Sequence, residues 1–241
     1  MKTNHRHFDH RWEKVYSESS GKHLNRYPFG ELVSVFFRSL RDLRTEHKSA
    51  EQIRVLELGC GAGNNLPVPF NEGMATFGID GSMSALEVAQ SRFSEKARAP
   101  YLTLGDFCYL PFANDVFDIV LDRESVCSNV TEGIKRVFEE VSRVLRPGGL
   151  YISFMYSTDD GHYLRACNEV GHAERVESST FSNFTGGTFA GTGNIHFFDT
   201  QEITDLCRGR LEILSLSVSK MERLLPESGN QRAEFILVAR K

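Results

Sequence analysis

Short apolar runs rich in β-branched residues alternate along this chain with longer segments of helical period. Such alternation predicts parallel βαβ units, because a crossover between parallel strands needs a helix to carry it. Strands are expected at 53–58, 75–80, 101–106, 116–122 and 150–156, and helices at 82–93 and 131–145. In the last of these Ile134, Val137, Phe138, Val141, Val144 and Leu145 form one continuous apolar stripe, while Lys135, Glu139, Glu140 and Arg143 occupy the wet face. Pro147, Gly148 and Gly149 then stop the helix and let the chain turn into the next strand. Further on, 211–218 and 234–239 read as two strands joined by the turn-rich Pro226, Glu227, Ser228, Gly229 and Asn230, an antiparallel hairpin that finishes the sheet. The fold class is therefore α/β, a doubly wound and mostly parallel sheet with an antiparallel C-terminal hairpin strand.

Two segments stand outside this alternation. Residues 27–47 place Leu32, Val33, Phe36, Phe37, Leu40 and Leu43 at helical spacing, with Arg38, Arg41, Arg44 and Lys48 mostly opposite. That pattern predicts a helix packed on the sheet with a solvated basic face, rather than a membrane-surface helix, which would need a second binding signal. Residues 157–198 match no strand-helix unit and are rich in Gly, Ser, Thr, Asn and Phe. An insertion of that length inside a domain is more often functional than inert. Phe181, Phe184 and Phe189 in it are expected to offer apolar surface that a ligand or partner covers, with Gly186, Gly187, Gly191 and Gly193 as hinges; a rigid loop packed on the sheet is the competing reading.

Composition narrows the class. With 241 residues, 40% hydrophobic and 25% charged, one self-sufficient core is expected. Five scattered cysteines, Cys60, Cys108, Cys127, Cys167 and Cys207, show no CxxC pair, so neither a disulfide framework nor a Cys-rich zinc site is suggested, and a cytoplasmic location fits. No stretch resembles a signal-peptide core or a membrane span, so the expectation is a protein neither exported nor embedded. The formal charge of −4 gives no electrostatic footprint for phosphate backbones, so no nucleic-acid and no membrane partner is expected. The oligomeric state is not legible.

The chemistry-bearing segment is Val55-Leu56-Glu57-Leu58-Gly59-Cys60-Gly61-Ala62-Gly63-Asn64-Asn65. It leaves a strand through glycines at alternate positions, where missing Cβ atoms let the backbone approach a ligand and free amides favour an anionic group. Asp80 and Asp106 end the next two strands at the same edge, where a carboxylate can accept ribose hydroxyls or amino protons. A dinucleotide fingerprint would place its third glycine at position 64, which is Asn64, so the NAD reading is weakened.

Together VLELGCGAGNN, FGIDGS, LGDFCYLPFANDVFDIVLD and VLRPGGLYIS resemble the class I S-adenosylmethionine-dependent methyltransferases, especially the group acting on small molecules. The resemblance spans roughly residues 50 to 156 and the closing strands, with HFFDTQEITDLCRG similar to the segment leading into the last helix. It implies a Rossmann-like core over 50–241, a substrate-side insertion at 157–198 and an N-terminal helical segment, 1–49, covering the cofactor site. S-adenosylmethionine is the implied cofactor. Glu57, Gly59, Gly61 and Gly63 would line its methionine part, Asp80 and Gly81 its ribose, Met83 its adenine, and Asp106 and Phe107 would complete the adenine pocket. Asp122 and Arg123 would face the methionine end and the acceptor, and Trp12, Tyr16, Arg26 and Tyr27 are the candidates for closing over the cofactor.

Methyl transfer chiefly needs alignment of nucleophile, methyl and sulfur, with a base only where the nucleophile arrives protonated. His196, flanked by Phe197 and Phe198, is the first choice for that base, followed by His162, His172, Asp122 and Glu124. The cluster His5, His7, Asp9 and His10 suits a divalent ion by residue type, but terminal segments are usually frayed, so no metal is expected. Cys60 reads as a small buried filler. The reaction expected is methylation of an O or N nucleophile on a small or sugar-containing acceptor. An NAD-dependent oxidoreductase and a catalytically silent cofactor binder are the alternatives.

Overall fold

A computed structural model describes residues 8–19, 25–43, 49–224 and 231–241. Its elements are α1 (Arg11–Ser19), α2 (Gly30–Ser39), β1 (Arg54–Leu58), α3 (Pro67–Asn71), β2 (Ala75–Asp80), α4 (Met83–Arg92), β3 (Tyr101–Leu104) and β4 (Phe117–Arg123), followed by α5 (Thr131–Val144), β5 (Leu145–Tyr156), α6 (Gly161–Asn168), β6 (Glu174–Arg175), β7 (Thr180–Ser182), β8 (Ile195–His196), α7 (Thr200–Cys207), β9 (Glu212–Glu222) and β10 (Gln231–Arg240).

Seven strands form one sheet in the order β3-β2-β1-β4-β5-β10-β9. The first five run parallel, and β10 is antiparallel to both β5 and β9. The predicted doubly wound sheet with its closing hairpin is therefore the observed one; the turn residues Pro226 to Asn230 lie outside the described residues. Period-two alternation sets the two layers. Val120 of β4 packs with Val137, Phe138 and Val141 of α5, whereas Ile119 and Leu121 pack with Leu32, Val35 and Phe36 of α2. The apolar stripe of α5 is fully buried, so its burial rather than its propensity holds this helix in place.

The differences from expectation are local. The helix expected over 27–47 is α2, Gly30–Ser39, and Arg44 and Lys48 lie outside the described residues. At Leu145 the chain passes from α5 straight into strand geometry, so Pro147, Gly148 and Gly149 lie inside β5 rather than forming a separate turn. The third strand stops at Leu104, leaving Asp106 in the loop beyond it, and Asp122 sits inside β4 rather than at its end.

The insertion contains α6 and a small three-stranded sheet, β6-β7-β8. Phe181, Phe184 and Phe189 are buried in it, 0%, 4% and 4% exposed, and belong to the α5-side core. The expected exposed apolar surface is thus already covered by edge-to-face and tilted ring contacts with Tyr156, Tyr163, His162 and Phe197. Two polar anchors tie the insertion down. Glu177 accepts from the Thr131 backbone N–H (2.9 Å) and hydroxyl (2.7 Å) at the start of α5, where the helix dipole favours a carboxylate. His196 bridges the Thr180 hydroxyl (2.8 Å) and Glu202 of α7 (3.0 Å).

Candidate active site

At the carboxyl edge of the sheet, β1, β2 and β4 deliver their loops to one cavity of about 320 Å³. Its base is the glycine loop. Gly61 has φ +51°, and a Cβ there would collide with the Tyr16 hydroxyl of α1, so glycine is needed for both the backbone turn and the approach of that helix. Gly63, φ +73°, does not line the cavity; a Cβ on it would lie 3.0 Å from Ala89 of α4, so this glycine serves loop-to-helix packing.

Three carboxylates surround the loop. Asp80 accepts the Gly61 N–H on one oxygen and the Ser82 N–H on the other, both at 2.8 Å. Each oxygen keeps a lone pair for an incoming hydroxyl. Glu57 is 3% exposed; one oxygen accepts from Asn65 at 2.8 Å, and the other, Oε2, has no partner. Burial pushes its pKa up to about 8; the Asn65 bond opposes this, and the nearby Asp122 and Asp80 add to it. Asp122 is fully buried, bonded to the Ser153 hydroxyl (2.7 Å) and the Ser125 and Val126 amides (2.9 and 3.1 Å). Burial raises it to about 6 against those bonds. Asp122 does not reach the cavity, because these donors turn it beneath the loop after β4. Asp106 lines the cavity beside Phe107 and accepts the Cys108 N–H at 2.8 Å.

Arg123, Glu124 and Tyr156 also line the cavity. Glu124 adopts a left-handed backbone, φ +62°, strained for a residue with a Cβ. Its carboxylate meets the guanidinium groups of Arg123 and Arg232 and accepts the Tyr156 hydroxyl at 2.7 Å. Arg123 also pairs with Glu234 at 3.2 Å and lies 4.4 Å over the Phe29 ring. Although burial opposes it, the two arginines hold Glu124 below the usual carboxylate range, while burial lifts Glu234 to about 7. Sequence reasoning had no signal for Arg232 and Glu234, which reach this cluster only through the pairing of β10 with β5.

Among the other expected site residues, Gly59, Gly81, Trp12 and Tyr16 line the cavity, whereas Met83, Arg26 and Tyr27 do not. Met83 is 49% exposed on the first turn of α4 and Tyr27 is 77% exposed. His196, His162 and His172 are also absent from the cavity wall. His196 is consumed by its bridge to Thr180 and Glu202, and His162 packs against His172 and Phe189, where burial lowers its pKa to about 4. The choice of His196 as base is corrected accordingly. His5 and His7 lie outside the described residues; among the described residues no His, Cys, Asp and Glu group could hold a metal.

The roof was the least legible part. Glu13 of α1 accepts the hydroxyls of Ser82 (2.6 Å) and Ser84 (2.5 Å), locking α1 onto the start of α4. Arg11 donates to the Thr192 carbonyl of the insertion at 3.3 Å, so α1 meets the insertion across the cavity. Asn65, which bonds Glu57, also accepts the Phe29 N–H at 3.2 Å and so links the segment before α2 to the glycine loop. No fixed motif marks any of these contacts.

Residues 56–153 match the family model described as a methyltransferase domain. Among similar proteins, squalene methyltransferase 1 of Botryococcus braunii is 30% identical over 112 residues, 45% of this chain and 29% of that protein. The tRNA N(3)-methylcytidine methyltransferase trm140 of Schizosaccharomyces pombe is 24% identical over 218 residues, covering 87% of this chain and 66% of its own length. The chain thus spans less than two thirds of these relatives. A methyltransferase structure from Methanosarcina mazei, 22% identical, superposes with a TM-score of 0.65 over 79% of this chain and 93% of the other. The tRNA methyltransferases among the relatives overturn the expectation that nucleic acid is no partner of such a chain. That expectation rested on net charge, which averages the whole surface and cannot report on a local patch. Among the described residues, no helix is long and apolar enough to cross a membrane.

The cavity fits the family's cofactor, S-adenosylmethionine, by its own chemistry: Glu57 carries a buried oxygen without a partner, Asp80 has two oxygens with spare lone pairs, and the glycine loop brings bare backbone to the wall. Fold, glycine loop and sequence match agree: residues 56–153 are similar to the methyltransferase domain family, and the chain has the fold of the S-adenosylmethionine-dependent methyltransferase structure it superposes on.

Proposed function

We propose that this chain methylates an O or N nucleophile of a small or sugar-containing acceptor that enters between α1 and the insertion. The observation that carries this reading is a cavity lined by two chemically different sets of residues: carboxylates and bare backbone about the glycine loop, and the Arg123, Glu124 and Tyr156 cluster with Thr188, Phe189 and Thr192 of the insertion. In this reading Glu57, Gly59 and Gly61 hold the methionine part of the cofactor, Asp80 and Gly81 its ribose, and Asp106 and Phe107 its adenine. Trp12 and Tyr16 exclude water from above. S-adenosylmethionine supplies a methyl group already activated on a sulfonium, so the protein's main task is alignment, worth up to about 7–11 kcal/mol in a near-attack geometry. With no histidine on the wall among the described residues and Glu124 engaged by Arg123, Arg232 and the Tyr156 hydroxyl, no general base is assigned and an acceptor nucleophile that arrives unprotonated is favoured. The unpaired cysteines fit a cytoplasmic setting.

A second reading comes from the relatives named as tRNA N(3)-methylcytidine methyltransferases, and makes the acceptor a base nitrogen of an RNA. One experiment separates them: S-adenosylhomocysteine formation from S-adenosylmethionine with a panel of amines, amino sugars and hydroxylated sugars beside unmodified tRNA. Turnover with the small compounds and none with tRNA supports the first reading, and the reverse supports the second. Binding of S-adenosylhomocysteine with no turnover across the panel would point to a silent binder.

A further inference from the structure

Among the cavity's lining residues the ionisable groups are Asp9, Glu57, Asp80, Asp106, Arg123 and Glu124, with Tyr16, Tyr156 and Cys60 as weaker acids. Arg123 is the cation in that wall among the described residues, and its guanidinium is engaged by Glu124 and Glu234. The glycine-loop side is left with Glu57, Asp80 and, beneath the loop, Asp122, and among the described residues no guanidinium or ammonium is bonded to any of them. Glu57 is the extreme case. It is buried on the central strand β1, with one oxygen bonded to Asn65 and the other without a donor. An ionised carboxylate there would have one hydrogen bond and like charges beside it, which is costly in a low-dielectric site.

We propose that Glu57 is a proton-exchanging anchor for the cofactor: it stays protonated in the free protein and ionises when an ammonium-bearing ligand enters the cavity, so that cofactor binding releases a proton to solvent. In that step the Glu57 O–H bond breaks, its electron pair stays on the carboxylate, the proton passes to the buffer, and the carboxylate pairs with the ligand cation. The inference rests on the S-adenosylmethionine site assigned above and adds to it a linkage between pH and cofactor affinity.

The groups facing Glu57 agree with this. Asp80 from β2 and Asp122 from β4 raise its pKa electrostatically beyond the effect of burial. Tyr16 from α1 and Cys60 from the loop are themselves pushed upward by burial and stay neutral, so neither supplies a counter-charge. Asn65 alone lowers it, through one neutral hydrogen bond. With Glu57 near 8 in the free protein, the sign is fixed. A cation lowers that value in the complex, protons are released on binding, and affinity rises with pH until the free carboxyl ionises by itself near pH 8.

The test is calorimetry on the wild-type chain at pH 6.5, where the ligand's own α-amino group is still charged, in buffers of different ionisation enthalpy. S-adenosylhomocysteine should release close to one proton per site, read as the slope of heat against buffer enthalpy, and its affinity should rise about tenfold between pH 6 and pH 7. Methylthioadenosine, which has the nucleoside but no amino-acid end, should release none. Glu57→Gln should bind S-adenosylhomocysteine more weakly and without the proton. Binding of S-adenosylhomocysteine with no buffer dependence in the wild type overturns the proposal, as does equal release with methylthioadenosine or by a folded Glu57→Gln. The wild-type comparison of the two ligands decides the matter even if the variant does not fold. Failure of S-adenosylhomocysteine to bind at all would instead overturn the site assignment beneath it.

Discussion

The two walls of the cavity solve opposite electrostatic problems. On the side proposed for the acceptor, Arg123, Glu124, Arg232 and Glu234 form a closed set of two cations and two anions, with Tyr156 donating to the set. On the side proposed for the cofactor, Glu57 and Asp80, with Asp122 beneath the loop, are held by backbone amides, a hydroxyl and an asparagine, Glu57 Oε2 has no donor, and among the described residues no cation is bonded to any of them. The first wall is complete without a ligand. The second leaves a charge to be supplied by what binds, which is a physical reason for placing a cationic ligand on that side.

Breaking the complete wall should have the largest effect. Arg123→Met removes the guanidinium shared by Glu124 and Glu234 and leaves two buried carboxylates facing Arg232 alone. A buried pair cut on one side costs about 3–5 kcal/mol. The expected result is a loss of that size in urea denaturation at pH 8, shrinking toward pH 6. With the arginine gone both carboxyls gain affinity for protons, and Glu234, already near 7, takes one first. A loss independent of pH would mean that the packing of Arg123 on Phe29, rather than its charge, matters at this wall.

Breaking the open wall should leave the fold and remove the ligand. Asp80→Asn keeps one acceptor oxygen for the Gly61 or Ser82 amide but loses a charged acceptor, worth on the order of 1.5–3 kcal/mol in ligand affinity. Titration calorimetry should therefore show S-adenosylhomocysteine binding weakened by roughly tenfold to a hundredfold, with an unchanged far-ultraviolet spectrum. Unchanged affinity in the folded variant would take Asp80 out of the site.

The sequence carried the open wall far better than the complete one. Gly59, Gly61, Asp80 and Asp106 sit in contiguous blocks at or just beyond strand ends, so order and spacing along the chain were enough to bring them to one cavity. The sheet was legible for a related reason: strand and helix periods differ, and α5 in particular writes its buried face into the sequence. The cluster at Arg123 could not be read in this way. Its members come from β4, β5 and β10, and Arg232 lies 108 positions from its partner Glu124. His196 misled because flanking aromatics mark a buried position, and a buried imidazole is as readily a cross-link as a base.

Acid and base titration of the free protein sharpens the contrast further. A carboxyl raised by burial, as Glu57 is, contributes stability that is full below its unfolded value and declines as pH rises toward its folded value near 8. Glu124, held low by its arginines, contributes stability above its unfolded value that disappears only as pH falls through its depressed folded one. Between pH 6 and pH 8 the free protein should therefore lose stability through Glu57, by up to about 1.4 kcal/mol per pH unit. Glu57→Gln should flatten this slope and saturating S-adenosylhomocysteine should reduce it. A slope unchanged in Glu57→Gln would show that another group sets it.

The smallest effect tests which wall holds the roof. α1 touches both: Glu13 accepts from Ser82 and Ser84 on the cofactor side, while Arg11 donates to the Thr192 carbonyl on the insertion side. The carboxylate contact is the stronger, because charge-assisted bonds at a helix start combine hydrogen bonding with the dipole, whereas the Arg11 contact is long and exposed. Glu13→Ala should accordingly weaken S-adenosylhomocysteine binding by about 1 kcal/mol, roughly fivefold. The change should fall on the dissociation rate, since the roof slows escape rather than shaping the wall, and stopped-flow displacement reads it directly. Arg11→Ala should change that rate by less than twofold. Should Arg11→Ala release the ligand faster than Glu13→Ala, the roof is held from the acceptor side, and the division of labour between the two walls is reversed at their shared edge.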